Sequence, residues 1–157
     1  MRLGVDVGSV RVGVAASDPD GLVATPVVTL RRGHGDVEQL VMLVHERRAV
    51  EVVVGLPTSL SGRRGPAARA AEDYAQALGD RLAPVPVRLV DERFSTAGAQ
   101  RGLHASGVST RRGRKVIDQA AAVIILQGAL DAERSSGVAP GRIVGAGGAG
   151  DDEKVEE

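Results

Sequence analysis

The chain has 157 residues, of which 43% are hydrophobic and 25% charged, and its formal net charge is zero. These values are typical of a globular domain that is large enough to bury a core. Cysteine is absent, which excludes disulfides, zinc–thiolate sites and thiol chemistry. No apolar run approaches the roughly 18 residues of a membrane span, so a cytoplasmic protein without membrane contacts is expected.

The first third of the chain predicts three strands and a helix. Residues 2–8 and 11–17 are apolar runs joined by a tight connection, and residues 22–30 follow the turn signal DPDG as a third strand. Asp36 can cap a helix that continues to about residue 48, with its apolar side chains on one face.

The remainder alternates strands and helices. Residues 51–56 form a short apolar run of the kind found in parallel sheets, a helix follows over 66–82, and 86–90 is another strand. Ser95 or Thr96 can begin a further helix that ends near Ala105. A long helix is then predicted from about 114 to 133.

This order of elements predicts an α/β fold. The two late strands need crossover helices and should therefore lie parallel to the first strand. The expected architecture is a mixed sheet of five strands, three antiparallel and then two parallel, with helices on both faces. Residues 1–134 are expected to form the domain, and residues 135–157, a glycine-rich acidic tail without a core-forming period, are expected to be disordered.

Acidic residues stand at three places where apolar side chains surround them. Asp6 lies within the first strand, Asp91 and Glu92 close the last predicted strand, and Asp118 shares an apolar helix face. Each has a structural explanation: Asp6 can bind the following turn or Arg11, the DER triplet can be an exposed strand end, and Asp118 can favour a helix N-terminus. Because neighbouring strand residues face opposite sides, only one of Asp91 and Glu92 should share a site with Asp6.

Carboxylates that converge at one edge of a sheet point to a metal site. Ligands bind beyond the carboxyl ends of parallel strands, and clustered carboxylates repel one another unless divalent cations lie between them. Oxygen ligands suit Mg²⁺ or Mn²⁺, and a two-ion site suits phosphodiester hydrolysis. Residues 93–115 carry six basic side chains and no acid, a charge that attracts a phosphate backbone.

Four segments resemble, in order and spacing, the YqgF/RuvX family of RNase H-like nucleases, which are described both as Holliday-junction resolvases and as pre-16S rRNA nucleases. They cover most of the first 133 residues and read GVDVGSVRVGVAASD, VVVGLPTSLSGRRGP, VRLVDERFSTAGAQ and RKVIDQAAAVIILQGALD.

The resemblance implies an RNase H-like fold in which Asp6, Glu92 and Asp118 are the catalytic, metal-binding acids. It therefore selects Glu92 over Asp91. The basic residues expected to contact nucleic acid come from the matching segments and from the basic stretch: Arg11, Arg63, Arg64, Arg93, Arg111, Arg112, Arg114 and Lys115.

The resemblance also implies an activity: metal-dependent cleavage of nucleic acid, in the maturation of the 5′ end of precursor 16S rRNA. Two alternatives stay open, which are resolution of branched DNA and a non-catalytic module that binds nucleic acid or the ribosome. Resolvases cut two symmetric strands and usually work as two-fold dimers, whereas this sequence has no strong dimer signature, so a monomer or a weak dimer is expected.

Overall fold

The computed structural model describes residues 1–57, 65–92 and 111–148. In these ranges the chain forms six strands, three α-helices and a closing 3₁₀ turn. In chain order they are β1 (Arg2–Val7), β2 (Arg11–Ser17), β3 (Ala24–Arg31), α1 (Asp36–Arg47), β4 (Glu51–Leu56), α2 (Pro66–Leu82), β5 (Val87–Asp91), α3 (Arg111–Ser136), β6 (Arg142–Val144) and the 3₁₀ turn Gly145–Gly148.

The predicted elements in the described ranges are present, with ends that differ by up to three residues. The helix predicted to begin at Ser95 or Thr96 lies outside the described residues. Helix α2 begins at Pro66, where the missing N–H costs no hydrogen bond. None of the helices in the described ranges is both long and apolar enough to cross a membrane.

The six strands form one mixed sheet in the order β3-β2-β1-β4-β5-β6. β1, β4 and β5 are parallel, while β2 runs antiparallel to both β1 and β3. β3 therefore points in the same direction as β1, so the carboxyl ends of β1, β3, β4 and β5 meet at one edge of the sheet. We call this edge the carboxyl edge.

The sequence predicts five strands and a disordered tail, and the structure corrects this expectation: residues in the predicted tail form a sixth strand, β6. This strand pairs antiparallel with β5 and buries Val144 against the core. The following turn packs on α2, where the backbone N–H of Ala146 donates to Asp80 Oδ1 at 2.6 Å. A strand of three residues is too short to show the alternation of apolar and polar side chains that predicts strands. Gly141 and Gly145, both with positive φ, also make the segment resemble a linker in sequence.

The sheet separates two apolar clusters. One cluster lies between the sheet and helices α1 and α2, and includes the largest buried strand side chains. The other lies between the sheet and α3, and consists of Ala15, Ala24, Val53, Ala122, Ile125, Leu126, Ala129 and Leu130. Side chains on the α3 face of the strands are small, which lets the helix lie close to the sheet: a Cβ placed on Gly4 would stand 2.6 Å from the Cβ of Leu126.

Candidate active site

Asp6 lies at the carboxyl edge, one residue before the end of β1, and only 3% of its surface is exposed. It follows Gly4 by two residues and is therefore directed to the same face of the sheet, the face that α3 covers. Its partner in the antiparallel register is Gly13. A buried carboxylate therefore stands on the α3 face at the sheet edge where ligand sites of α/β proteins lie.

Gly13 explains how α3 reaches this place. A Cβ on Gly13 would lie 2.1 Å from the backbone oxygen of Asp118, a distance that no real Cβ atom tolerates. The backbone of α3 therefore rests on β2 at the position that pairs with Asp6. The side chain of Gln119 adds a hydrogen bond from Nε2 to Thr29 Oγ1 at 2.9 Å. Glycine at position 13 brings Asp118 into the neighbourhood of Asp6.

Asp118 is bound to Arg11, the first residue of β2. The Nε–H of Arg11 donates to Asp118 Oδ2 at 2.9 Å, and about a fifth of each side chain is exposed (21% and 18%). Because α3 begins at Arg111, Asp118 stands in the third helical turn, beyond the reach of the helix N-terminal dipole that offered a structural explanation for it. The arginine is therefore its partner in the fold.

Glu92 reaches the same face from β5. It follows the last residue of that strand and is 6% exposed. A Cβ on Gly55 would lie 3.1 Å from Cγ and Cδ of Glu92 and 2.6 Å from Cδ1 of Ile125 on α3. The Glu92 side chain therefore lies over the end of β4, between the sheet and α3.

Asp91 is directed to the opposite face. It pairs with Leu56 in the β4–β5 register and alternates with Val87 and Leu89, which pack in the cluster under α1 and α2. The geometry therefore separates the two neighbouring acids, and Glu92 is the one that shares a face with Asp6.

Eight basic residues are predicted to contact nucleic acid, and Arg11 is the one whose side chain the structure describes. Four others lie along the start of α3, before Asp118, and three are outside the described residues. Those on α3 are Arg111, Arg112, Arg114 and Lys115, and those outside are Arg63, Arg64 and Arg93.

Sequence reasoning missed Arg31 and Arg32, which follow one another at the carboxyl end of β3. Since β3 points in the same direction as β1, both arginines lie at the carboxyl edge with Asp6. The signal was available in the loop RRGHG, because two antiparallel connections return the third strand to the direction of the first.

The donors at the carboxyl edge have the chemistry of a hard-cation site. Asp6, Glu92 and Asp118 all offer carboxylate oxygens, which suit Mg²⁺ and Mn²⁺. Within the described residues, however, no three carboxylate, histidine or cysteine side chains converge closely enough to hold one ion. The type of donor therefore fits such an ion, whereas the spacing in this conformation, with Asp118 bound to Arg11, does not complete a three-acid site.

Comparisons with known proteins identify the family of the chain and support its fold. The family model "RuvX: Holliday junction resolvase" matches residues 1–132. A Frankia casuarinae protein named "Putative pre-16S rRNA nuclease" is 58% identical over 146 residues, which are 91% of this chain and 72% of that protein. A Thermobifida fusca protein of the same name is 54% identical over 151 residues, 92% and 95% of the two chains. The Thermus thermophilus RuvC structure superposes with a TM-score of 0.52 at 16% identity, over 89% of this chain and 98% of that one, which supports an RNase H-like fold.

Proposed function

The chain belongs to the RuvX family, and we propose that it is a metal-dependent endonuclease that hydrolyses phosphodiester bonds during 5′-end maturation of precursor 16S rRNA. One observation carries the proposal: three acids lie at the carboxyl edge of one sheet, on the face that α3 covers. They are Asp6 from β1, Glu92 from β5 and Asp118 from α3. The name that the Frankia and Thermobifida relatives share supports the choice of precursor rRNA as substrate.

In this proposal Asp6, Glu92 and Asp118 hold Mg²⁺ or Mn²⁺, with two ions as the working number. When bound, such ions lower the pKa of an attacking water and stabilise the leaving oxygen. The chain's own contribution is to desolvate two of the carboxylates before any ion arrives, as the 3% and 6% exposures of Asp6 and Glu92 indicate. A carboxylate that the fold has already desolvated attracts a cation more strongly than one in bulk water, because the local dielectric constant is lower.

Arg11 has two functions in the proposal. Its bond to Asp118 holds that carboxylate on the α3 face in the free protein. A guanidinium carries five N–H donors, so one bond to a carboxylate leaves others for a phosphate oxygen of the substrate. The basic side chains at the start of α3, together with Arg63, Arg64 and Arg93, are the other phosphate contacts of the proposal.

A second candidate is resolution of branched DNA, which the description of the matching family model favours. Phosphate contacts report charge and do not distinguish RNA from DNA, so the basic residues serve either substrate. Cutting two symmetric strands would require two copies of the site, and therefore a two-fold dimer on the junction. Sedimentation of the protein with and without a four-way junction tests this requirement.

The decisive experiment is cleavage of two labelled substrates, an RNA that carries the 16S 5′ leader and a four-way DNA junction. Each is incubated with Mn²⁺, with Mg²⁺ and with chelator, and the Asp6→Asn variant controls for contaminating nuclease. Metal-dependent cutting that the variant lacks is the expected result, and the preferred substrate distinguishes rRNA processing from junction resolution. If neither is cut above the variant's background, while assembled ribosomal particles are bound, the protein is a non-catalytic binding module.

Metal binding is measured separately from cleavage. Calorimetric titration is expected to show that the native chain binds Mn²⁺. Asp6→Asn and Glu92→Gln are each expected to weaken the affinity for the ion. An isotherm that both variants leave unchanged would assign the ion to another place, and the absence of any binding would contradict a metal-dependent mechanism.

A further inference from the structure

Two arginines stand opposite each other at the ends of β2 and β3. Arg11 and Arg31 are direct partners in the antiparallel register. Like charges in directly opposite positions repel and destabilise a sheet. Asp118 compensates Arg11, whereas Arg31 is exposed and has no carboxylate partner among the residues that the structure describes. Arg31 therefore carries a positive charge that no ion pair in the described part of the fold neutralises.

Arg31 shares a face with the acids. The residue before it, Leu30, packs in the cluster under α1 and α2, so Arg31 is directed to the α3 face, as is its partner Arg11. It stands two strands away from β1, which is about 10 Å at the usual strand spacing of about 4.8 Å. A nucleic-acid strand whose cleaved phosphate lies at Asp6 would pass within reach of this side chain.

The neighbouring hairpin between β1 and β2 carries an exposed apolar side chain at its tip, and hydrogen bonds hold the backbone of that tip in place. Val10 is 56% exposed at its tip. Arg32 holds both sides of the tip, because its backbone N–H donates to the oxygen of Val10 and its guanidinium donates to the oxygen of Gly8, each at 2.9 Å. The same guanidinium lies over the ring of Tyr74, 5.8 Å from the ring centre.

We propose that Val10 and Arg31 form a second substrate-contact surface, beside the acids on the β3 side of the carboxyl edge. Arg31 binds a backbone phosphate of the nucleic acid, and Val10 packs against a sugar or a base of the same strand. Arg32 is a positioning residue that keeps the hairpin tip in place. This inference rests on the proposed function, since it needs a nucleic-acid strand at the acids.

The phosphate contact is tested by the salt dependence of binding. Anisotropy titrations use the labelled 16S-leader RNA and the four-way junction, and the parent chain carries Asp6→Asn to prevent cleavage. Arg31→Gln is expected to weaken binding about tenfold at low salt and to reduce the slope of log K against log salt by about 0.7 on a single strand or 0.9 on a duplex. The matched control is Arg47→Gln, an exposed arginine at the end of α1, which is expected to change neither quantity.

The apolar contact has its own matched pair. Val10→Ser is expected to weaken binding several-fold at every salt concentration without changing the slope, because no counterion is released at an apolar contact. Val50 is 60% exposed and stands before β4, at the opposite edge of the sheet, so Val50→Ser is expected to bind as the parent does. Thermal unfolding of each variant verifies that these surface changes leave the fold intact.

The outcomes separate the two proposals. If the parent chain binds neither probe, the proposed function is wrong and this surface is wrong with it. If the parent binds while Arg31→Gln and Val10→Ser behave as their controls, only the second contact surface is wrong.

Discussion

Single side chains at the carboxyl edge differ in ways that their sequence neighbours conceal. Asp91 and Glu92 are adjacent and chemically similar, yet one lies on the face under α1 and α2 and the other between the sheet and α3. Asp6 and Glu92 are buried, while Asp118 is partly exposed and bound to Arg11. The three acids of the proposed site therefore differ in what their removal should do to the stability of the protein.

Replacement of any one acid by its amide, in Asp6→Asn, Glu92→Gln or Asp118→Asn, is expected to abolish cleavage. In chelator, the unfolding free energy of the first two variants is expected to equal or exceed that of the wild type, because the amide relieves like-charge repulsion among the acids. Asp118→Asn is expected to lose up to about 1 kcal/mol with the partly exposed ion pair. Urea unfolding and the cleavage assay give both quantities.

The matched control for these variants is Asp91→Asn, which changes the acid that faces away from the site and is expected to retain cleavage. An Asp6→Asn protein that fails to fold would assign Asp6 a structural function and remove it from the proposed site.

Tyr74, the only tyrosine in the chain, belongs to a buried network on the opposite face. Its hydroxyl donates to Asp36 Oδ2 at 2.7 Å, and Asp36 Oδ1 accepts the backbone N–H of Gly33 at 2.9 Å. Burial, and then the neighbouring Asp36 carboxylate, raise the pKa of Tyr74 well above its ordinary value of 10.0. The network connects α1 and α2 to the loop that carries Arg32.

The raised pKa of Tyr74 predicts a loss of stability at alkaline pH. The folded state binds the phenolic proton more tightly than the unfolded state, so this contribution is fully present below pH 10.0 and is lost as the pH rises above it. Near-ultraviolet absorbance is expected to report tyrosinate only together with unfolding. Tyr74→Phe is expected to lower the unfolding free energy near neutral pH by about 1–3 kcal/mol, since Asp36 loses a donor. Ionisation of Tyr74 at its ordinary pKa in the folded protein would contradict this account.

At the scale of elements, the contact of α3 with β2 determines where the third acid stands. Helix α3 follows the strands closely because Gly4, Gly13 and Gly55 offer no Cβ to it. The closest approach is at Gly13, which pairs with Asp6 and meets the backbone of Asp118. The position of the proposed site and the packing of the helix therefore depend on the same glycine.

Gly13→Ala is expected to displace the α3 backbone and to lower the unfolding free energy by about 1–3 kcal/mol, the usual cost of overpacking. The displacement moves Asp118 away from Arg11, so cleavage is expected to fall as well. Gly128→Ala is the matched control, because Gly128 is an exposed residue of the same helix with open space at its Cβ position. That change is expected to stabilise the protein by about 0.5–1 kcal/mol through helix propensity. Equal effects of the two alanines in urea unfolding would exclude the close approach.

At the scale of the whole molecule, the sheet is completed by the segment that the sequence suggested was a tail. β6 covers the outer edge of β5, and the following turn packs on α2. Its attachment includes an ion pair from Arg142 to Glu72 Oε1 at 2.8 Å and the close contact of Gly145 with α2. Pairing with β6 therefore stabilises β5, the strand that Glu92 follows directly.

Truncation tests this role of β6. A chain that ends at Pro140 is expected to be less stable than one that ends at Gly148 by at least about 1.5 kcal/mol, the lower value for burying one valine side chain such as Val144. The two truncated chains differ only in β6 and its turn, so the full chain is not needed as the reference. Equal thermal unfolding midpoints would mean that β6 contributes no stability.

The sequence by itself determined the order of elements and the residue types of the proposed site. Alternating apolar runs, turn residues and helix starts are local signals, and they identified the five main strands of the sheet and the helices α1, α2 and α3. The acids Asp6 and Asp118 were visible as carboxylates on apolar faces, since the cost of burying charge makes such residues conspicuous. Strand alternation reduced the pair at positions 91 and 92 to one member, and the resemblance selected Glu92.

Tertiary structure decided what depends on contacts between distant segments. The pairing of Arg11 with Asp118 spans 107 positions and depends on how closely α3 lies against β2. The sixth strand is three residues long and is stabilised by its neighbour β5, so its own pattern could not predict it. Arg31 joined the carboxyl edge only when strand direction and register were known. Local pattern reports which face a residue buries, whereas the assembled sheet and helix decide which residues meet there.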